Sequence, residues 1–142
     1  MKTIKHLLDT KSNSIISVSP STSVYNALVT MTEKNISSVL VIENGQLAGI
    51  FTERDYARKI ILQGKSSKET LITEVMTKNP IVIGLEHSID DCMKIMTEKH
   101  IRHLPVVVAE QVNGMVSIGD VVKFIIEDQK QTISQLESYI SG

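Results

Sequence analysis

Two four-residue strings carry the side chains best suited to hold an anion and a diol: Thr52-Glu53-Arg54-Asp55 and Ser117-Ile118-Gly119-Asp120. In each, a hydroxyl stands three residues before a carboxylate, where a β-rich run gives way to a helical one. The first amides of a helix have no partner within it. Beside a hydroxyl and the positive end of the helix dipole, they can seat a phosphate. The carboxylate, on the same helix face, can take two neighbouring hydroxyls with its two oxygens. The same spacing also fits a capping box, in which the acid satisfies backbone donors, and both readings stay open.

Other reactive residues point to structure. His6, His87, His100 and His103 share no helical face and have no carboxylate or cysteine cluster at ligand spacing, so no metal site is expected. Asp90-Asp91 stand where a helix's first turn favours acids. No Gly-x-Ser-x-Gly elbow accompanies the serines. The single cysteine, Cys92, reads as a small core residue. No catalytic residues or catalytic cofactor are expected.

The two strings are copies within a longer repeat. Shifted by 65 residues, segment 16–61 aligns with 81–126 without a gap: Met31-Thr32-Glu33-Lys34 returns as Met96-Thr97-Glu98-Lys99, Gly49 as Gly114, and Asp55 as Asp120. Each half opens with a short apolar strand, at 15–18 and 81–83. A helix capped by Ser23 or Ser88 follows, with one apolar stripe (Val24, Ala27, Leu28, Met31; Ile89, Cys92, Met93, Met96). Two β-rich runs joined at Asn44-Gly45 or Ala109-Glu110 come next, then a second helix near 54–62 or 119–128. The order is β-α-β-β-α, twice, in an α/β (α+β) fold. A leading helix is expected within 1–9, echoed at 72–76. The expected division is repeat one at 1–63, linker 64–71, repeat two at 72–128 and a helical tail at 129–142 carrying Ile133, Leu136 and Ile140. With 142 residues the halves must share one compact module.

With Ile72-Thr73-Glu74-Val75-Met76 before Asn79-Pro80-Ile81-Val82, His100-Ile101-Arg102-His103-Leu104-Pro105-Val106 at a strand start, and Gly49-Ile50-Phe51 before Thr52, the chain resembles a tandem pair of cystathionine β-synthase (CBS) domains, a Bateman module. That resemblance implies a pseudo-twofold module with two clefts between the repeats. Such pairs bind AMP, ADP or ATP there, commonly form homodimers, and regulate other proteins. Following the family's crossed arrangement, one cleft would combine Ser38, Ile50, Thr52, Arg54 and Asp55 with Asn79, Pro80 and Ile81. The other would combine Arg102, His103, Met115, Ser117 and Asp120 with Ile16 and Ser17. Each cleft would then have its own source of positive charge, Arg54 in one and Arg102-His103 in the other. The first is favoured, because an arginine fork holds an anion better than a histidine mostly neutral at pH 7. Leu40 stands where the second repeat has Pro105, a departure at that strand start.

Composition is consistent with a binding module. A net charge of −1 gives no basic field for nucleic acid or anionic lipid. The apolar runs are far shorter than the roughly 20 residues of a membrane span. No secretory leader is evident, so a cytoplasmic protein is expected. The expected function is a nucleotide sensor that signals to an unidentified regulated protein. The competing expectations are a structural or dimerising module with empty clefts, or a binder of S-adenosylmethionine, a dinucleotide or single-stranded nucleic acid.

Overall fold

The computed structural model describes residues 2–11 and 15–141; Met1, in the expected leading helix, and Gly142, in the expected tail, lie outside them. The elements run α1 (Ile4–Asp9), β1 (Ser17–Val18), α2 (Val24–Lys34), β2 (Ser38–Glu43), β3 (Gln46–Thr52), α3 (Glu53–Asp55) continuing as a π-helical stretch Tyr56–Ile61, α4 (Ile72–Val75), β4 (Thr77–Lys78), α5 (Ile89–Lys99), β5 (His103–Val108), β6 (Gln111–Ser117) and α6 (Ile118–Ser141).

The repeat seen in sequence is also a repeat of local geometry. Helices α2 and α5 start on hydroxyl caps: the Asn26 amide donates to Ser23 Oγ at 3.1 Å and the Asp91 amide to Ser88 Oγ at 3.0 Å. Both end on a left-handed residue, Asn35 (φ 53°) and His100 (φ 56°). The hairpins turn through two positive-φ residues each, Asn44-Gly45 and Ala109-Glu110, which matches the twist of the flanking strands. Each hairpin slips register once, between Val41 and Ile42 and between Val106 and Val107.

The sheets are less alike. The first has four strands in the order β1-β2-β3-β4, with β1 parallel to β2 and β4 antiparallel to β3. The second has only β5 and β6, and the strand expected at 81–83 is reduced to a bridge between Ile83 and Val106. Proline is the reason. In the first repeat the Leu40 amide donates to the Ile16 carbonyl at 3.4 Å. The equivalent donor in the second would be Pro105, which has no N–H.

The two cores cross the sequence halves. Helix α1 packs into the second core: Ile4 and Leu7 join Leu104, Val106 and Val121, and the Ile4 amide donates to the His87 carbonyl at 2.9 Å. Helix α4 packs into the first, where Ile72 and Val75 join Val39, Phe51 and Ile60, and the Ile72 amide donates to the Thr22 carbonyl at 2.8 Å. Cys92 is fully buried in the second core, and burial pushes its thiol up to about 11.

Two expected boundaries shift. The helix expected at 54–62 starts at Glu53 and widens into a π-helix that buries Ile60. The helices expected at 119–128 and 129–142 are one, α6, because no proline or glycine interrupts Val121 to Ser141. Among the described residues no helix is long and apolar enough to cross a membrane.

Candidate functional site

Both hydroxyl–carboxylate strings stand at a strand-to-helix junction and close as capping boxes. The Thr52 amide donates to Asp55 Oδ2 at 3.0 Å, and the Asp55 amide to Thr52 Oγ1 at 3.1 Å. The Ser117 amide donates to Asp120 Oδ2 at 2.9 Å, and the Asp120 amide to Ser117 Oγ at 3.1 Å. Capping therefore holds each carboxylate in a fixed place at the mouth of a cleft, and does not remove it from the cleft lining.

The first cleft, of about 460 Å3, is lined by Ile50, Thr52, Glu53, Arg54 and Asp55 of the first repeat. Thr77, Asn79, Pro80 and Ile81 form the facing wall, and Ser37 with His100, Ile101, Arg102 and His103 closes it. The second, of about 420 Å3, is lined by Ile15, Ile16, Asn35, Ile36, Ser37 and Ser38 against His103, Asn113, Gly114, Met115, Ser117 and Asp120, with Leu8 and Lys11 at its side. Ile50, Thr52, Arg54, Asp55, Asn79, Pro80 and Ile81 thus meet as expected, and so do Ile16, His103, Met115, Ser117 and Asp120.

The strand starts are exchanged relative to the sequence expectation. Arg102 lines the first cleft and not the second, and Ser38 lines the second and not the first. Each strand start is fixed by its own repeat: the Glu53 amide donates to the Ser37 carbonyl at 3.1 Å, and the Ile118 amide to the Arg102 carbonyl at 2.9 Å. The two starts then touch, with Ser37 Oγ 3.0 Å from His103 Nε2, so each presents its side chains across the axis to the other repeat's cleft. Ser17 lines neither cleft. It alternates with Ile16, and its side chain is exposed on the other side of the strand.

Both arginines are consequently on one side. Arg54 and Arg102 both line the first cleft, where Arg54 Nη1 donates to the His100 carbonyl at 3.0 Å. Asp55 is also 3.2 Å from Lys59, on its own helix. In the second cleft Lys11 Nζ meets both Asp120 Oδ2 and the Met115 carbonyl at 2.8 Å. Burial alone would raise the Asp120 carboxyl, but hydrogen bonds from Lys11 and Ser117 outweigh it and hold the group below its ordinary value. His103 is held below the usual imidazole value, chiefly by burial. Sequence reasoning missed Lys11, which lies outside the aligned repeat and has no motif around it. His100, Ile101 and Ser37, read from sequence only as parts of the two strand starts, also line the first cleft.

Two stretches of the chain, residues 4–62 and 72–127, match the CBS domain. The chain belongs to the CBS-domain family. A CBS pair of this kind has many relatives. The mitochondrial CBS domain-containing protein CBSX3 of Arabidopsis thaliana is 42% identical over 124 residues, covering 84% of this chain. This chain spans only 60% of that relative's length. The crystal structure of the CBS domain protein NE2398 superposes with a TM-score of 0.84 at 42% identity, covering 88% of this chain and 98% of that one. The CBS pair of MJ0100, solved in complex with 5′-methylthioadenosine and S-adenosyl-L-methionine, superposes with a TM-score of 0.79 at 26% identity over 90% of this chain and 98% of that one.

Proposed function

We propose that this CBS pair is a non-catalytic regulatory module that binds an adenosine nucleotide, AMP, ADP or ATP, between its repeats and signals its occupancy to a partner protein. The observation that carries this reading is the composition of the first cleft. Asp55 stands ready for a ribose, Thr52 and two arginines for phosphate, and Ile50, Pro80 and Ile81 for an adenine face. A pocket that is largely apolar with a few convergent polar groups is the common form of a small-molecule site. The adenosyl ligands of the MJ0100 pair support the same ligand class. They also favour a second reading, S-adenosylmethionine as the ligand. A cytoplasmic location remains part of the proposal.

Signalling requires that the ligand favour one of two states. A homodimer is the natural carrier of such a change, and α6 supports it. Val122, Ile126, Ile133, Leu136 and Ile140 are all at least 45% exposed and recur at spacings of four, seven, three and four. A purely dimerising module with empty clefts would use the same helix. Calorimetry with AMP, ADP, ATP and S-adenosylmethionine on the protein and on Asp55→Ala separates these readings. Nucleotide binding that Asp55→Ala weakens supports the sensor, and no binding of any ligand up to millimolar concentration leaves only the dimerising module.

A further inference from the structure

We propose that Lys11 is the specificity-determining residue of the second cleft, admitting adenosine ligands that carry phosphate and turning away those that do not; this rests on the nucleotide reading above. Lys11 reaches Asp120 and Met115 from more than a hundred residues earlier in the chain, and its ammonium lies 2.8 Å from Asp120 Oδ2 and from the Met115 carbonyl. Both partners line the cleft, as does Lys11 itself. The Lys11 and Asp120 side chains are 31% and 29% exposed, so the pair is partly withdrawn from water. Its lysine is thus already on one of the two carboxylate oxygens that a ribose diol would use.

The carboxylate of the first cleft is also paired with a lysine, but with one that does not line the cleft and so offers a ligand's phosphate no charge there. Asp55 pairs with Lys59 of its own helical segment, whose ammonium also turns to the Val75 carbonyl at 2.9 Å, and Lys59 does not line that cleft. Among the described residues lining the second cleft, the cationic side chains are Lys11 and His103, and burial keeps His103 largely uncharged. Lys11 is therefore the fixed positive charge of that site.

A ribose that takes both oxygens of Asp120 must displace Lys11 from Oδ2 and leave a half-buried ammonium without its anion, which is unfavourable unless a new anion replaces it. A 5′-phosphate on the same ligand supplies one, through a charge-assisted hydrogen bond. Adenosine supplies none. S-adenosylmethionine puts a sulfonium where AMP has its 5′-phosphate, a positive charge beside the first, and its carboxylate stands several bonds further from the ribose. Lys11 thus passes from carboxylate to phosphate when the right ligand arrives, and blocks the carboxylate otherwise.

The test is calorimetry on the full chain carrying Asp55→Asn, which silences the first cleft, with AMP, adenosine and S-adenosylmethionine as ligands. AMP should bind tighter than either of the others by at least about tenfold, the lower end for a hydrogen bond to a charged group. Adding Lys11→Met should bring AMP and adenosine to within about twofold of each other, with adenosine binding tighter than before. Lys11→Arg, which keeps the charge, should preserve the preference for AMP. If Lys11→Met leaves the ratio of AMP to adenosine unchanged, the proposal is overturned. If Lys11→Met does not fold by circular dichroism, Lys11→Gln reads the same ratio. Binding of none of the three ligands by the unmutated protein would sink the cleft reading itself, a different and recognisable result.

Discussion

Ser37 of the first repeat and His103 of the second meet at 3.0 Å, hydroxyl oxygen to Nε2, and both line the first and the second cleft. The two clefts therefore share a wall. Whatever moves this pair at one site is felt at the other, and its histidine makes that wall sensitive to pH.

Burial, with Arg102 adding to it and Asp120 and Glu53 opposing, holds His103 below the ordinary imidazole value. The unfolded chain titrates this group near ~6.5. Between that value and the lower folded one, the unfolded state binds more protons, so this contribution to stability is full above pH ~6.5 and is lost as the pH falls toward the folded value. Asp120, already below its ordinary value of 3.8, stays ionised in both states across that window and adds no slope. The melting temperature should fall between about pH 7 and 5.5, and fall less in His103→Gln. Parallel melting curves for the two proteins would remove His103 from the account.

Because Arg102 lines the first cleft, Arg102→Ala should weaken nucleotide binding there and spare the second. The expected loss is about tenfold, from one charge-assisted contact. Calorimetry in Asp120→Asn, which leaves the first cleft, and in Asp55→Asn, which leaves the second, reads the two separately. A loss confined to the Asp55→Asn background would restore the arrangement expected from sequence.

Leu7 sits near the N-terminus yet is 2% exposed within the second core. Leu7→Ala should cost about 2–5 kcal/mol, the range for emptying a buried leucine site. Urea unfolding measures it. A cost under about 1 kcal/mol would mean that α1 does not hold its place in solution.

Gly49 and Gly114 are repeat partners with different neighbours. A methyl group at Gly49 would come within 2.7 Å of the Thr77 carbonyl oxygen and Met76 Sδ, whereas at Gly114 it meets only the Leu8 side chain, at 3.1 Å. Backbone yields less than the end of a leucine. Gly49→Ala should cost about 1–3 kcal/mol and Gly114→Ala clearly less, as thermal unfolding would register.

The exposed stripe of α6 predicts that Ile133→Asp, or truncation after Gln129, lowers the mass seen by light scattering while nucleotide affinity is kept. An unchanged mass would move any dimer contact to another face.

Legibility in the sequence followed the range of the interactions. Helix caps at Ser23 and Ser88, hairpin turns and the Thr52 and Ser117 junctions depend on neighbours within a few residues, and their chemistry was readable from spacing. Most of the first cleft's lining was legible only through the family resemblance, because Asn79, Pro80 and Ile81 lie more than twenty residues from Asp55. The exchange of Ser38 and Arg102 was not legible, because it depends on how the two strand starts cross at Ser37 and His103, 66 residues apart. Lys11 was invisible for the same reason, since a lone lysine in a connector gives no sign of a partner 109 residues away. The shortened second sheet could have been read from Pro105, whose missing N–H is a property of the residue alone.

The exchange of α1 and α4 between the cores also fixes an order of assembly. The first core is complete once Val75 has been made, and domains near the N-terminus fold first during synthesis. Helix α1 must wait for His87 and for Val121, so Ile4, Leu7 and Leu8 stay uncovered while more than eighty further residues emerge from the ribosome. The second core closes last, and Lys11, carried at the end of α1, reaches Asp120 only then. A newly made chain therefore has its first cleft walled on one side before its second cleft exists at all.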